Sequence, residues 1–219
     1  MDVARIDREC EKFLVRRPAQ ARERSAIDGA SDAPHGFHMA TMVIELPSQK
    51  ALTAFNLRRW SELMEGAELA KVEGRIETDR YGNIIMSPPP AASHGGYQAR
   101  IAFLLQTLIA TGRVLTECPI STADGVKAAD VVWASPHCLR DLGNRACFPR
   151  SPEICLEVLS PRNRDAEIRE KKRLYFDAGA GEVWICDKLG RMKFFLRDGE
   201  TPVAKSQICA AFPKRVRVP

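Results

Sequence analysis

The chain has 219 residues, 45% of them hydrophobic and 28% charged, the balance of an ordinary globular protein able to bury a sizeable core. Its net charge of +5 and pI near 8.9 are compatible with a polyanionic partner, and equally with mild basicity for solubility. No apolar run approaches the roughly 18 to 20 residues of a membrane helix, and the mixed-charge N-terminus resembles no secretory or transit signal; a cytoplasmic protein with no membrane partner is expected.

In chain order, residues 1–41 balance acids and bases, with Ala26 to His38 lacking strand or helix period, and are expected to form a poorly ordered extension. A short helix over Val3 to Val15 is possible there, and Met39 or Met42 offers an alternative start. Residues 42–219 form the patterned domain. Leu52, Phe55, Trp60, Leu63 and Met64 recur at helical spacing and predict an amphipathic helix over about 52–66. Arg75 to Glu77 and Asn83 to Met86 predict two strands around a turn at Asp79 to Gly82, closed by Pro88 to Pro90. A second helix from His94 carries Tyr97, Ile101, Leu104, Leu105 and Leu108 on one stripe and stops before Gly112. Three strands follow, Val114 to Glu117, Ala129 to Ala134 and Ile154 to Leu159, with Ser135 to Ser151 as a surface loop. Asn163 or Asp165 can cap a helix running to about Ala178; Glu182 to Cys186 and Met192 to Leu196 complete the pattern as strands. Helices interspersed with strands predict an α/β fold with a mixed sheet, and the apolar run Ile154 to Leu159 marks its central strand.

The seven cysteines include no CxxC pair, so structural zinc is not expected. Cys155 and Cys186 read as small buried hydrophobes, and the thiols as reduced.

Two carboxylates stand out. Glu157 interrupts a buried strand and Asp130 heads Val131-Val132-Trp133 in another; an ionised carboxylate there costs several kcal/mol unless a metal, a buried cation or a raised pKa relieves it. A divalent metal held by oxygen donors would do so, magnesium or manganese by preference. A strand-end Asp and a Glu paired to a buried Arg or Lys would do so as well. Lys171 and Lys172 both flank the stripe marked by Ile168 and Tyr175, and periodicity does not choose between them; Glu167 to Lys171 also has the spacing of a surface ion pair. His94 has the ordinary reading of a solvated or capping residue, and Glu77 that of a strand carboxylate. No Walker loop, GxGxxG, HExxH or GxSxG motif is present.

Ile76-Glu77, Gly82, Ile84 to Pro88, His94, Ala129-Asp130-Val131-Val132, Glu157-Val158-Leu159-Ser160-Pro161, Glu170-Lys171, Tyr175, Ala178-Gly179 and Glu182-Val183-Trp184 stand in an order and spacing that resembles a known family. It is the Uma-type putative restriction endonuclease family of the PD-(D/E)XK nuclease superfamily, and the similarity runs over about residues 43–197. The resemblance implies a restriction-endonuclease-like fold, a central mixed β-sheet flanked by α-helices, for the nuclease domain at 42–219. It implies catalytic Asp130, Glu157 and Lys171, with Glu77 and His94 as auxiliary residues. Leu159 stands where the superfamily motif has lysine, and Lys171 matches a lysine moved to the next helix.

The activity implied is hydrolysis of DNA phosphodiester bonds by a metal-activated water, the magnesium (manganese possible) held by Asp130, Glu157 and the backbone carbonyl of Val158. Arg162, Arg164, Arg169, Lys172 and Arg173 would contact phosphates or simply form an exposed helix face. A homodimer would account for double-strand cleavage. The competing expectations are a catalytically silent nucleic-acid-binding or assembly module on the same fold, and a metal enzyme acting on another phosphodiester. No specificity domain is identifiable, so a generic or structure-selective nuclease is better supported than a sequence-specific one.

Overall fold

Ser48 opens the first helix, α1 (Gln49–Glu65), by accepting a hydrogen bond from the Ala51 N–H on its hydroxyl at 3.3 Å. This is a computed structural model that describes residues 48–67, 69, 74–160, 164–197 and 199–218; the N-terminal extension, its helix and the alternative starts lie outside them. After α1 come β1 (Arg75–Thr78) and β2 (Ile84–Ser87), then α2 (Ala92–Leu108), β3 (Arg113–Thr122), β4 (Gly125–Ala134), α3 (Pro136–Leu142), β5 (Ile154–Val158), α4 (Asp165–Asp177), β6 (Glu182–Cys186) and β7 (Met192–Leu196).

The main sheet has the order β3-β4-β5-β6-β7, and β1 and β2 form a separate antiparallel hairpin. Within the main sheet only β5 and β6 run parallel, joined through α4; the other neighbours are antiparallel. β5 is central and wholly buried, as its run apolar on both faces but for Glu157 predicts.

Helices cover both faces. On one side Ile101 and Leu105 of α2 pack with Val131, Trp133, Leu156 and Trp184. On the other, Tyr175 and Phe176 of α4 and Cys138 of α3 pack with Val132, Cys155, Val183 and Ile185. The six described cysteines are buried and unpaired, in line with the reduced thiols expected.

Three expectations need correction. β3 and β4 are ten residues each rather than four and six, joined by a tight turn, because hairpin pairing across that turn carries both strands through a stretch whose residues lack an alternating pattern. The supposed loop after Ala134 contains α3, which Ser135 caps through its hydroxyl to the Cys138 N–H (3.1 Å) with Pro136 following. Of the two proposed caps of α4, Asp165 lies inside the first turn and Arg164 holds the N-cap position without a side-chain bond; Asn163 is outside the described residues.

Candidate active site

The site is the unzipped end of a β ladder. β4 and β5 pair at Val131↔Leu156, Val132↔Cys155 and Trp133↔Ile154. Continuing that register would set Asp130 opposite Glu157, but the strands part there. The Val158 N–H reaches the Asp130 side chain instead, at 2.6 Å to Oδ2.

From Val126 to Asp130 the edge of β4 turned away from β3 therefore lacks a β5 partner, and its buried backbone groups need others. Side chains supply them. Thr78 Oγ1 accepts from the Val126 N–H at 2.9 Å, and Glu77 Oε1 accepts from the Ala128 N–H at 3.0 Å. Lys171 Nζ donates to the Ala128 carbonyl at 3.4 Å, and Gln98 Nε2 to the Asp130 carbonyl at 2.7 Å. β1, α2 and α4 thus deliver Glu77, Gln98 and Lys171 to one place for a backbone reason.

The charges there interlock. Lys171 Nζ lies 2.7 Å from Glu77 Oε1 and 3.4 Å from Glu157 Oε2, and the Tyr175 hydroxyl donates to Glu157 Oε1 at 2.6 Å. Asp130 accepts from Arg75 on Oδ1 and lies 3.1 Å from His94 Nε2 on Oδ2. Arg75 Nε also donates to Glu117 Oε2 at 2.9 Å. Glu117 stands opposite Asp130 across the β3–β4 pair, between Thr116↔Val131 and Cys118↔Ala129, with φ +52 in an otherwise extended strand.

Burial pushes the Glu157 carboxyl up to about 7: its share of Lys171 does not offset desolvation, and Asp130 adds repulsion. Burial acts on Asp130 in the same sense, but the His94 hydrogen bond and the Arg75 charge outweigh it and hold Asp130 below the usual range. The same hydrogen bond raises the His94 pKa against the effect of its own burial. Lys171 loses solvation but gains Glu157 and Glu77, and its pKa rises.

All five side chains singled out in the sequence meet here, and with Val158 they line one cavity of about 570 Å³ shared with Arg75 and Glu117. Of the two candidate lysines, Lys171 enters it, whereas the Lys172 ammonium lies 4.3 Å from the Phe195 ring centroid. The basic cluster is looser than expected. Arg173 is engaged by Glu170 and Asp177, Arg164 and Arg169 are exposed, and Arg162 is outside the described residues. No sequence motif marks Arg75, Gln98 or Glu117 as site residues, and Tyr175 stands in the sequence only as a core and motif position. Their single signal was Arg75 and Glu77 sharing one short strand.

No three His, Cys, Asp or Glu side chains among the described residues converge as a ligand set. The donor chemistry nonetheless suits a hydrated magnesium ion, which takes one or two carboxylates and keeps several waters. Glu157 is a buried oxygen donor whose charge is incompletely compensated, and Asp130 is held ionised beside it.

The Uma2 family, described as "Putative restriction endonuclease", matches residues 62–213. The chain belongs to this family. The coarse assignment that Uma2 membership carries is that of a nuclease. The Uma2 chain also resembles the crystal structure of a putative nuclease belonging to DUF820 from Anabaena variabilis, with a TM-score of 0.54 and 17% identity over 66% of this chain and 89% of that one. At that identity the likeness concerns the fold, which is restriction-endonuclease-like. No curated protein matches the Uma2 chain. No described helix is long and apolar enough to cross a membrane.

Proposed function

We propose that this protein is a magnesium-dependent DNA endonuclease with Asp130, Glu157 and Lys171 at its catalytic centre. The observation that carries the reading is the meeting of Asp130 and Glu157 at the parting of β4 and β5, with the Lys171 ammonium 3.4 Å from Glu157 on the same cavity. Asp130, Glu157 and the Val158 carbonyl would hold magnesium or manganese, which when bound supplies a polarised phosphate and a water acidic enough to yield hydroxide near neutral pH.

The chain's own groups do the positioning. Tyr175 fixes one oxygen of Glu157 and leaves the carboxylate a single orientation. Glu77 holds Lys171 at 2.7 Å, so the ammonium is aimed before substrate arrives and can stabilise charge growing on the phosphate. His94 fixes Asp130 Oδ2 from α2. The exposed Arg164 and Arg169 on the neighbouring helix start would add salt-dependent contacts to a DNA backbone. A two-fold dimer would present two such centres to the two strands.

A second reading has its own support. Glu77, Lys171 and Gln98 complete the β4 edge whether or not chemistry occurs, so the same network would hold together a catalytically silent nucleic-acid-binding module. A cleavage time course on supercoiled plasmid with magnesium or manganese separates the two. Wild type is expected to nick or linearise the plasmid and Asp130→Ala to lose at least about a thousand-fold in rate. Equal inactivity of both proteins, with no metal binding by wild type at millimolar concentration, would establish the silent module. Competition by single-stranded DNA and RNA identifies the substrate class.

A further inference from the structure

Asp130 poses a difficulty for the metal site just described, because both of its oxygens are already engaged. Of the three groups on it, the Val158 N–H belongs to the central strand and His94 to the first turn of a 17-residue helix. Arg75 alone reaches Asp130 on a long, flexible side chain, from a four-residue strand. It also has somewhere else to go. Its Nε is hydrogen-bonded at 2.9 Å to Glu117, whose side chain is 45% exposed and lines the same cavity. Glu117 is in turn fixed by Gln98 Nε2 at 2.8 Å, the same amide that holds the Asp130 carbonyl, so it stands ready whatever Arg75 does.

We infer that Arg75 is the resident counter-cation of Asp130, displaced by an incoming divalent ion onto Glu117, where its freed guanidinium edge becomes a phosphate-binding group. This rests on the metal-dependent reading above. The physical reason is exchange of like for like: a guanidinium neutralises the buried carboxylate until a better cation arrives, and the released planar fork suits a phosphodiester. Glu117 then acts as a positioning residue, and its left-handed backbone at φ +52 is the local strain that places its carboxylate toward Arg75. The cavity contains both ends of that movement.

The test is metal affinity rather than turnover, measured by isothermal titration of manganese chloride into the whole chain without nucleic acid. Arg75→Gln is expected to bind manganese about ten-fold more tightly than wild type, because no competing charge-assisted hydrogen bond has to be broken. Glu117→Gln is expected to bind it several-fold more weakly, because Arg75 loses its alternative partner and stays on Asp130. This second variant carries the test if Arg75→Gln fails to fold. Wild type binding with unchanged or weaker affinity in Arg75→Gln, or unchanged affinity in Glu117→Gln, would overturn the exchange and leave the metal site standing. Absence of binding in all three proteins would overturn both.

Discussion

Lys171 and Lys172 are adjacent in sequence and about 100° apart on a helix, which decides their fates entirely. The first is buried between Glu77 and Glu157; the second lies on the Phe195 ring. Lys171→Met would leave Glu77 and Glu157 without their shared ammonium and the Ala128 carbonyl without its donor, a loss on the order of 3–5 kcal/mol. Lys172→Met gives up one cation–π contact, worth about 0.5–1 kcal/mol. Urea unfolding of the two variants is expected to show that contrast, and equal destabilisation would contradict the assigned ion pairs. The sequence narrowed the site to these two lysines because Ile168 and Tyr175 define a stripe that both flank. Choosing between them required the unpaired edge of β4, which no local pattern contains. Arg75 and Glu117 were illegible for a related reason: arginine and glutamate on partly exposed strands are ordinary, and a positive φ leaves no trace in residue type unless glycine occupies it.

At the scale of elements, the small hairpin is the part of the site least supported by the main sheet, since β1 carries Arg75 and Glu77 but pairs only with the exposed β2. What docks it is the turn between β3 and β4. Gly125 has φ +82, and a Cβ there would stand 2.2 Å from the Asp79 carbonyl oxygen, immediately after β1. Thr78 receives the next N–H, from Val126, and Lys127 Nζ returns a bond to the Thr78 carbonyl at 2.9 Å. Gly125→Ala must therefore push the hairpin away or twist the turn, and both withdraw Glu77 from Lys171. A loss of about 2 kcal/mol or more is expected, from the strained φ together with the backbone clash. Nuclease activity should fall further than global stability, read by comparing plasmid cleavage with urea unfolding. An unaffected cleavage rate would mean that the hairpin does not position the centre. The hairpin, α2, α4 and the central strand were all readable from periodicity and turn residues. The halves of β3 and β4 next to their turn were not, because Pro119, Ser121 and Lys127 give no alternating pattern and hairpin pairing overrides it.

For the whole molecule, the opposed carboxylates set the pH dependence of folding. The Asp130 pKa is depressed from 3.8, so its contribution is present above about pH 4 and lost as pH falls through its folded value. Glu157 behaves in the opposite sense: its pKa rises from 4.5 to about 7, so its favourable balance is complete below 4.5 and lost as pH rises through 7. His94, raised from 6.5 by Asp130, likewise contributes fully below 6.5 and loses that contribution above its folded value. Metal-free protein is thus expected to be most stable in mildly acidic buffer, near pH 5, and to lose up to about 3 kcal/mol by pH 8 through Glu157. Glu157→Gln should flatten most of that decline and leave the smaller His94 part. Saturating manganese should reverse it in wild type alone, because binding requires the ionised carboxylate and so strengthens with pH. Urea unfolding from pH 4 to 8, with and without manganese, reads all three curves. A metal-free wild-type stability that climbs steadily to pH 8 would mean that Lys171 and Tyr175 already suffice to keep Glu157 ionised, and the need for a further cation at the parting of β4 and β5 would disappear.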